Sequence, residues 1–234
     1  MLRASLTVEP QRPIRSYVRR EGRITSAQRR ALAELWPVYV VDLHRGPVDT
    51  VKLFGRNAVT ILEIGFGNGE VLANLAAQNP EHNHIGVEVH RPGVGSLLLR
   101  LERDGIGNVR VFAMDVQDVM ERGIPKSSLD RVLIFFPDPW PKKRHHKRRL
   151  IQSEFLSLVV SRLKFGGDIH IATDCEDYAR QIMALAAVST ELETINSVDC
   201  LSRVSHRPNS KYERRSHSLG HRVWDMRFRR RGAA

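Results

Sequence analysis

Short apolar runs rich in β-branched residues recur through the middle of the chain: Val59 to Ile64, His84 to Val89, Val109 to Met114, Arg131 to Phe136 and Asp168 to Thr173. Between them the apolar positions switch to helical spacing. Val71, Leu72, Leu75 and Ala76 share one helical face with Pro80 beyond it, and Leu97, Leu98 and Leu101 mark the next helix. Phe155, Leu156, Val159, Val160 and Leu163 mark a later helix, which Gly166-Gly167 is expected to end. Upstream, a helix is expected from Ser26 to Leu35, because Pro37 blocks its continuation. Strands alternating with helices at this spacing predict βαβ units. The fold class is therefore α/β, a twisted and mostly parallel sheet with helices on both faces.

Ligands of such sheets sit outside the carboxyl ends of the strands. All five predicted strand ends carry an acid: Glu63, Glu88, Asp115, Asp138 and Asp174. Acids at strand ends also cap the helices that follow, a role open to Asp115 and Asp174.

After the first strand the chain reads Glu63-Ile64-Gly65-Phe66-Gly67-Asn68-Gly69. Glycines there permit a tight turn and close approach of a ligand to the backbone. The dinucleotide fingerprint G-x-G-x-x-G is not met, since the third glycine comes one residue early and Glu70 occupies its place. An acid at the helix start disfavours a pyrophosphate there. No Gly-Lys-Ser/Thr follows, so this is not a nucleotide-triphosphate loop. Glu88, about twenty residues past the loop, can accept hydrogen bonds from both ribose hydroxyls. Glu63 can meet an ammonium, and Asp115 can accept from an adenine amino group. A ligand with a ribose and an ammonium but no pyrophosphate is S-adenosylmethionine. The loop with its later acid resembles the first two motifs of the Rossmann-like, class I methyltransferases. A nicotinamide or flavin enzyme and an inert Rossmann-type fold are the competing readings.

The fourth strand ends in Phe135-Phe136-Pro137-Asp138-Pro139-Trp140. Two prolines stiffen the turn around Asp138. A preorganised carboxylate beside an indole can stack a planar base and accept its N–H donors. Guanine suits this best, because its Watson–Crick edge offers donors at both N1 and N2. The plain alternative is a rigid loop with a buried Trp. Lys142, Lys143, Arg144, Lys147, Arg148 and Arg149 follow, interleaved with His145 and His146, and no acid appears before Glu154. That density suits phosphate contacts with a steep salt dependence. Adjacent histidines on a helix diverge, so no metal site is read here.

Composition narrows the partners. The 234 residues suffice for one α/β domain with a short appendage, and the formal net charge is +11. A charge of that sign favours a polyanion. No apolar run of membrane-spanning length occurs, and no apolar segment follows the basic start, so neither a membrane helix nor a secretory signal is expected. Residues 1–22 are Arg-rich and acid-poor, a composition shared by transit peptides and by flexible nucleic-acid-binding arms; the downstream basic bias favours the arm. Cys175 and Cys200 form no CxxC pair, which fits a reducing cytoplasm.

Taken together, Leu62 to Gly69, Gly86 to Gly95, Phe135 to Trp140, Gly166-Gly167 with Ala172-Thr173-Asp174, and Lys211 to His217 with Gly220-His221 closely resemble the bacterial tRNA (guanine-N7)-methyltransferase family. The resemblance runs from about Gly22 to Phe228. It implies a seven-stranded sheet, one catalytic domain over residues 23–234 behind the arm of residues 1–22, and a cytoplasmic monomer or homodimer. It implies methyl transfer from S-adenosylmethionine to N7 of a guanosine in tRNA, at position 46 of the variable loop, leaving S-adenosylhomocysteine. Residue by residue, it assigns Glu63, Glu88 and Asp115 to the cofactor with Gly65, Gly67 and Gly69 of the loop. Asp138 is assigned to catalysis beside the cofactor. Lys142, Asp174, Ser210, Lys211, Tyr212 and Glu213 are assigned to the substrate. Arg144, His145, His146, Lys147, Arg148 and Arg149 are assigned to tRNA docking. Two departures stand out: the family's usual Thr-Lys-Phe-Glu is Ser210-Lys211-Tyr212-Glu213, and Arg215 stands where Gly is common. Two other functions stay open from the residues: an RNA methyltransferase acting at another guanine atom or on another RNA, and a non-enzymatic RNA-binding protein retaining the fold.

Overall fold

The computed structural model describes residues 16–17, 22–43, 46–195, 213–214, 218, 220 and 222–232. Its centre is a parallel array: β1 (Thr60–Ile64), β2 (Asn83–Val87), β3 (Val109–Phe112), β4 (Leu129–Phe135) and β5 (Leu163–Thr173). β1 and β2 are buried at every position, as strands covered on both faces must be. β7 (Trp224–Arg230) pairs antiparallel with β5, and β6 (Leu192–Thr194) pairs antiparallel with β7. Among the described residues the order is β3-β2-β1-β4-β5-β7-β6, a seven-stranded sheet.

Helices cover both faces. α1 (Ser26–Glu34), α4 (Glu70–Gln78) and α5 (Arg91–Arg103) bury Leu32, Leu72, Leu97, Leu98 and Leu101 in one cluster. On the other face α6 (Val116–Asp118), α7 (Ser153–Arg162) and α8 (Glu176–Ala187) pack Phe155, Val159, Tyr178 and Ile182 against Val132, Ile134, Ile169 and Ile171. α1 starts on a capping box between Thr25 and Gln28. Pro37 does not merely end α1; it sits in the first turn of α2 (Trp36–Tyr39), where its missing N–H costs no hydrogen bond. A short α3 (Thr50–Phe54) is capped by Asp49 and precedes β1.

One expectation fails. α7 ends at Arg162, and Leu163 turns directly into β5, so Gly166-Gly167 does not terminate the helix. The two glycines lie within β5, where its pairing with β4 skips from Leu129↔Leu163 to Arg131↔Asp168. Gly166 has φ +79°, and a Cβ on Gly167 would stand 3.0 Å from the Asp130 carbonyl oxygen. The pair builds a bulge, a role that demands the same freedom as a helix stop.

Strand order reverses between β1 and β4. β2 and β3 extend one way and β4 and β5 the other, which opens a crevice at the carboxyl ends of β1 and β4.

Candidate active site

A cavity of about 680 Å³ occupies that crevice. Its wall joins Gly65 and Gly67 after β1, Glu88 after β2, Asp138 and Trp140 after β4, and Tyr17 from the N-terminal segment. The volume lies within the range of small-molecule and cofactor sites.

The glycine loop is shaped by its own sequence. Gly65, Gly67 and Gly69 all have positive φ. Gly69 caps α4, and a Cβ there would fall 2.6 Å from the Leu97 side chain, so the early third glycine lets α4 and α5 close up. Glu88 clasps the loop. It accepts from the Gly67 N–H at 2.9 Å, and its other oxygen accepts from the N–H groups of Val89 and His90 at 2.7 and 2.9 Å.

Glu63 is different. It is buried, and its Oε2 has no hydrogen-bond partner. Burial pushes its carboxyl up to about 8, and the charge of Glu88 adds to the effect. A buried acceptor without a donor fits a ligand that brings a cationic donor. This orphaned oxygen matches a ligand that brings an ammonium, and the Glu88 carboxylate on the cavity wall matches one that brings ribose hydroxyls.

Asp115 caps α6, accepting from the Gln117 N–H at 3.0 Å; its neighbours Met114 and Val116 line the cavity. The capping role left open in the sequence is thus real. Asp174 stands between β5 and α8, but the cap position of α8 is Cys175, whose N–H bonds to the Thr173 hydroxyl.

The turn holding Asp138 is constrained from several sides. Phe136 has φ +52° and Trp140 φ +44°, left-handed values that bulky residues adopt only when their surroundings impose them. The Phe136 N–H donates to the Ala172 carbonyl at 2.7 Å, and the Trp140 indole N–H donates to the Ser16 carbonyl at 3.1 Å. Burial raises the Tyr178 hydroxyl above its usual range, and the charge of Asp138 reaches it as well. Arg148 lies over the Trp140 ring at 5.0 Å, with His145 edge-on at 5.8 Å. One face of the indole therefore already holds a cation rather than a base.

The cationic run folds as a 3₁₀ turn over Lys143–Arg148, with Lys142 at its N-cap. Lys142, Lys143, Arg144, Lys147 and Arg148 are exposed, and His145 and His146 half-buried. Desolvation and the neighbouring cations hold His145 below its usual pKa. Arg149 corrects the sequence reading: it is 2% exposed, and its guanidinium bonds inside the protein, so it is not presented to a phosphate.

Glu213 is buried, and the adjacent Arg214 binds both oxygens of Glu70 at 2.9 and 3.0 Å, which brings this segment to the start of α4. Ser210, Lys211 and Tyr212 lie outside the described residues. Sequence reasoning missed Ser16, Tyr17 and Arg214. Only the Arg214–Glu70 charge complementarity left a trace in the sequence, and the partners are 144 positions apart. Among the described residues no group of three His, Cys, Asp or Glu could hold a metal ion, and no helix is long and apolar enough to cross a membrane.

A family model described as a putative methyltransferase matches residues 57–226. A tRNA (guanine-N(7)-)-methyltransferase of Nitrosococcus oceani is 52% identical over 219 residues, covering 94% of this chain and 92% of that protein. The corresponding protein of Alkalilimnicola ehrlichii is 49% identical, covering 94% of each. In fold, the chain is similar to the 16S rRNA methyltransferase KamB, with TM-score 0.58 at 14% identity, covering 80% of this chain and 95% of that one. It is also similar to the antibiotic-resistance methyltransferase Kmr, with TM-score 0.55 at 15% identity, covering 80% and 93%.

Proposed function

The chain belongs to the tRNA (guanine-N7)-methyltransferase family, and from that premise we propose how its own residues carry methyl transfer from S-adenosylmethionine to guanine N7 in tRNA. The observation that carries the reading is the unpartnered Oε2 of buried Glu63, two residues before the glycine loop that Glu88 clasps. Glu63 receives the cofactor's ammonium, Glu88 its ribose hydroxyls, and the Asp115 segment its adenine. When bound, the cofactor supplies an electrophilic methyl group on a sulfonium.

Guanine N7 has an available lone pair and no proton to lose. A strong general base is therefore unnecessary, and orientation of N7 in line with the methyl should dominate the rate. Asp138 grips the guanine through its N–H donors, and Asp174, Ser210, Lys211, Tyr212 and Glu213 contact the substrate as well. It orients the base and does not abstract a proton. Lys142 stands at the border between this site and the docking run. Arg144, Lys147 and Arg148, exposed on the same turn as His145 and His146, meet tRNA phosphates.

The target is the variable-loop guanosine at position 46. Its tertiary contacts have to open before N7 reaches the cavity. The basic arm of residues 1–22 stabilises the opened tRNA, ahead of a single catalytic domain over residues 23–234. Such an enzyme works in the cytoplasm, where its substrate is. Calorimetric titration with S-adenosylmethionine tests the reading: micromolar binding that is lost in Glu63→Leu supports it, and no binding by the wild-type chain removes it.

A further inference from the structure

We infer that Arg149, at the end of the cationic run, is a positioning residue that fixes the Asp138 turn against α8; the inference deepens the proposed function and rests on it. Its guanidinium donates in three directions. Nε binds the Pro139 carbonyl at 2.9 Å, one Nη binds Gln181 Oε1 at 2.6 Å, and the other binds Asp177 Oδ2 at 2.6 Å. The group also lies 4.8 Å over the Tyr178 ring. Pro139 joins Asp138 to Trp140, so the bonded carbonyl lies in the middle of the turn whose flanking residues Phe136 and Trp140 hold left-handed φ values. Backbone in that region persists only where its surroundings fix it, and here a buried planar fork does so.

The same side chain ties three segments of the site together. Asp177, Tyr178 and Gln181 belong to α8, the helix that follows Asp174. The Arg149 N–H donates to the His146 carbonyl at 3.0 Å, anchoring the end of the docking turn. The Tyr178 hydroxyl accepts from the Ile151 N–H at 2.9 Å, and Gln181 donates to the Ile151 carbonyl at 3.1 Å, closing the network below. Only Arg offers enough donors in a rigid fork for all three acceptors; Lys can satisfy them only in part. Arg149 acts through the turn and touches neither guanine nor cofactor.

A positioning role and a docking role differ in what they change. A phosphate contact contributes to affinity and lowers the salt slope of tRNA binding by about one when removed. A strut changes the rate of the bound complex. Arg149→Ala is expected to leave tRNA affinity within about twofold and its salt slope unchanged, while kcat falls roughly 10- to 100-fold. Arg149→Lys recovers part of kcat, and added guanidinium ion restores part of it to Arg149→Ala. Asp177→Ala, at an exposed partner, covers the case in which Arg149→Ala does not fold. It is expected to lower kcat about threefold with tRNA KM unchanged, whereas a docking role for the run would show as tighter tRNA binding once that acid is gone. A salt slope reduced by one with kcat intact in Arg149→Ala, or tighter tRNA binding with unchanged kcat in Asp177→Ala, overturns the inference. A wild-type chain that methylates another guanine atom would remove the proposed atom of transfer and still leave kcat and the salt slope to be read, so the two failures are distinguishable.

Discussion

Glu63 stands near the end of β1 and Glu88 directly follows the adjacent parallel β2, yet their oxygens differ: Glu88 accepts from three backbone N–H groups and the Oε2 of Glu63 from none. The charge on Glu88 reinforces burial in pushing the Glu63 carboxyl up to about 8. In the free protein at neutral pH, Glu63 is therefore mostly protonated. An ammonium placed against it favours the carboxylate, so cofactor binding at pH 7 should release close to one proton. Calorimetry in buffers of different ionisation enthalpy reads that number directly. Glu63→Gln should release none and bind more weakly by roughly 10-fold or more.

The same group biases stability. Its folded pKa lies above its unfolded value, so its contribution is fully present below about pH 4.5 and is lost as pH rises through about 8. Glu63→Gln should then be more stable than wild type above pH 8, with the difference vanishing towards pH 5. Denaturant midpoints at the two pH values check this.

His84 works in the opposite direction. It is fully buried, both ring nitrogens lack partners, and burial lowers its pKa to about 4. Its folded pKa lies below the unfolded one, so its contribution is present above about pH 6.5 and is lost as pH falls through about 4. The loss approaches roughly 3 kcal/mol at the acid end. A His84→Leu variant should flatten the acid side of the stability profile measured by urea titration.

Gly69 meets two demands at once, a φ of +75° and a side chain of Leu97 that a Cβ would approach to 2.6 Å. Gly69→Ala should lose roughly 2 to 4 kcal/mol of stability. Because the loop also lines the cavity, affinity for S-adenosylmethionine should fall with it; a variant with unchanged melting temperature and affinity contradicts the packing account.

The parallel core was legible because strands buried on both faces are mostly apolar, and because acids at strand ends have little reason to be there except chemistry or capping. The position of the glycine loop and Asp138 at the crevice was legible for the same reason. Other parts were not. Composition cannot separate Arg149 from the exposed cations beside it, since burial of one member depends on Asp177 and Gln181, about thirty positions later. Gly166-Gly167 satisfies a helix stop and a bulge equally well, and only the pairing of β5 with β4 decides. β7 alternates as Asp225, Arg227 and Arg229 against Met226 and Phe228, but its charges submerge it in a basic C-terminal stretch. Ser16 reaches Trp140 across 124 positions, a contact no local pattern announces.

An Asp138→Ala variant separates orientation from base catalysis. It should bind cofactor within a few-fold of wild type while kcat falls about 100-fold or more. The wild-type kcat should stay flat over roughly pH 6 to 8, since N7 has no proton to remove. A rate that climbs across that range with the deprotonation of one carboxylate would assign Asp138 to base catalysis instead.

The central claim is the atom that receives the methyl group. Unmodified tRNA incubated with the protein and S-adenosylmethionine, digested to nucleosides and analysed by mass spectrometry, should yield 7-methylguanosine. A different methylguanosine, or no methylated nucleoside at all, would contradict it.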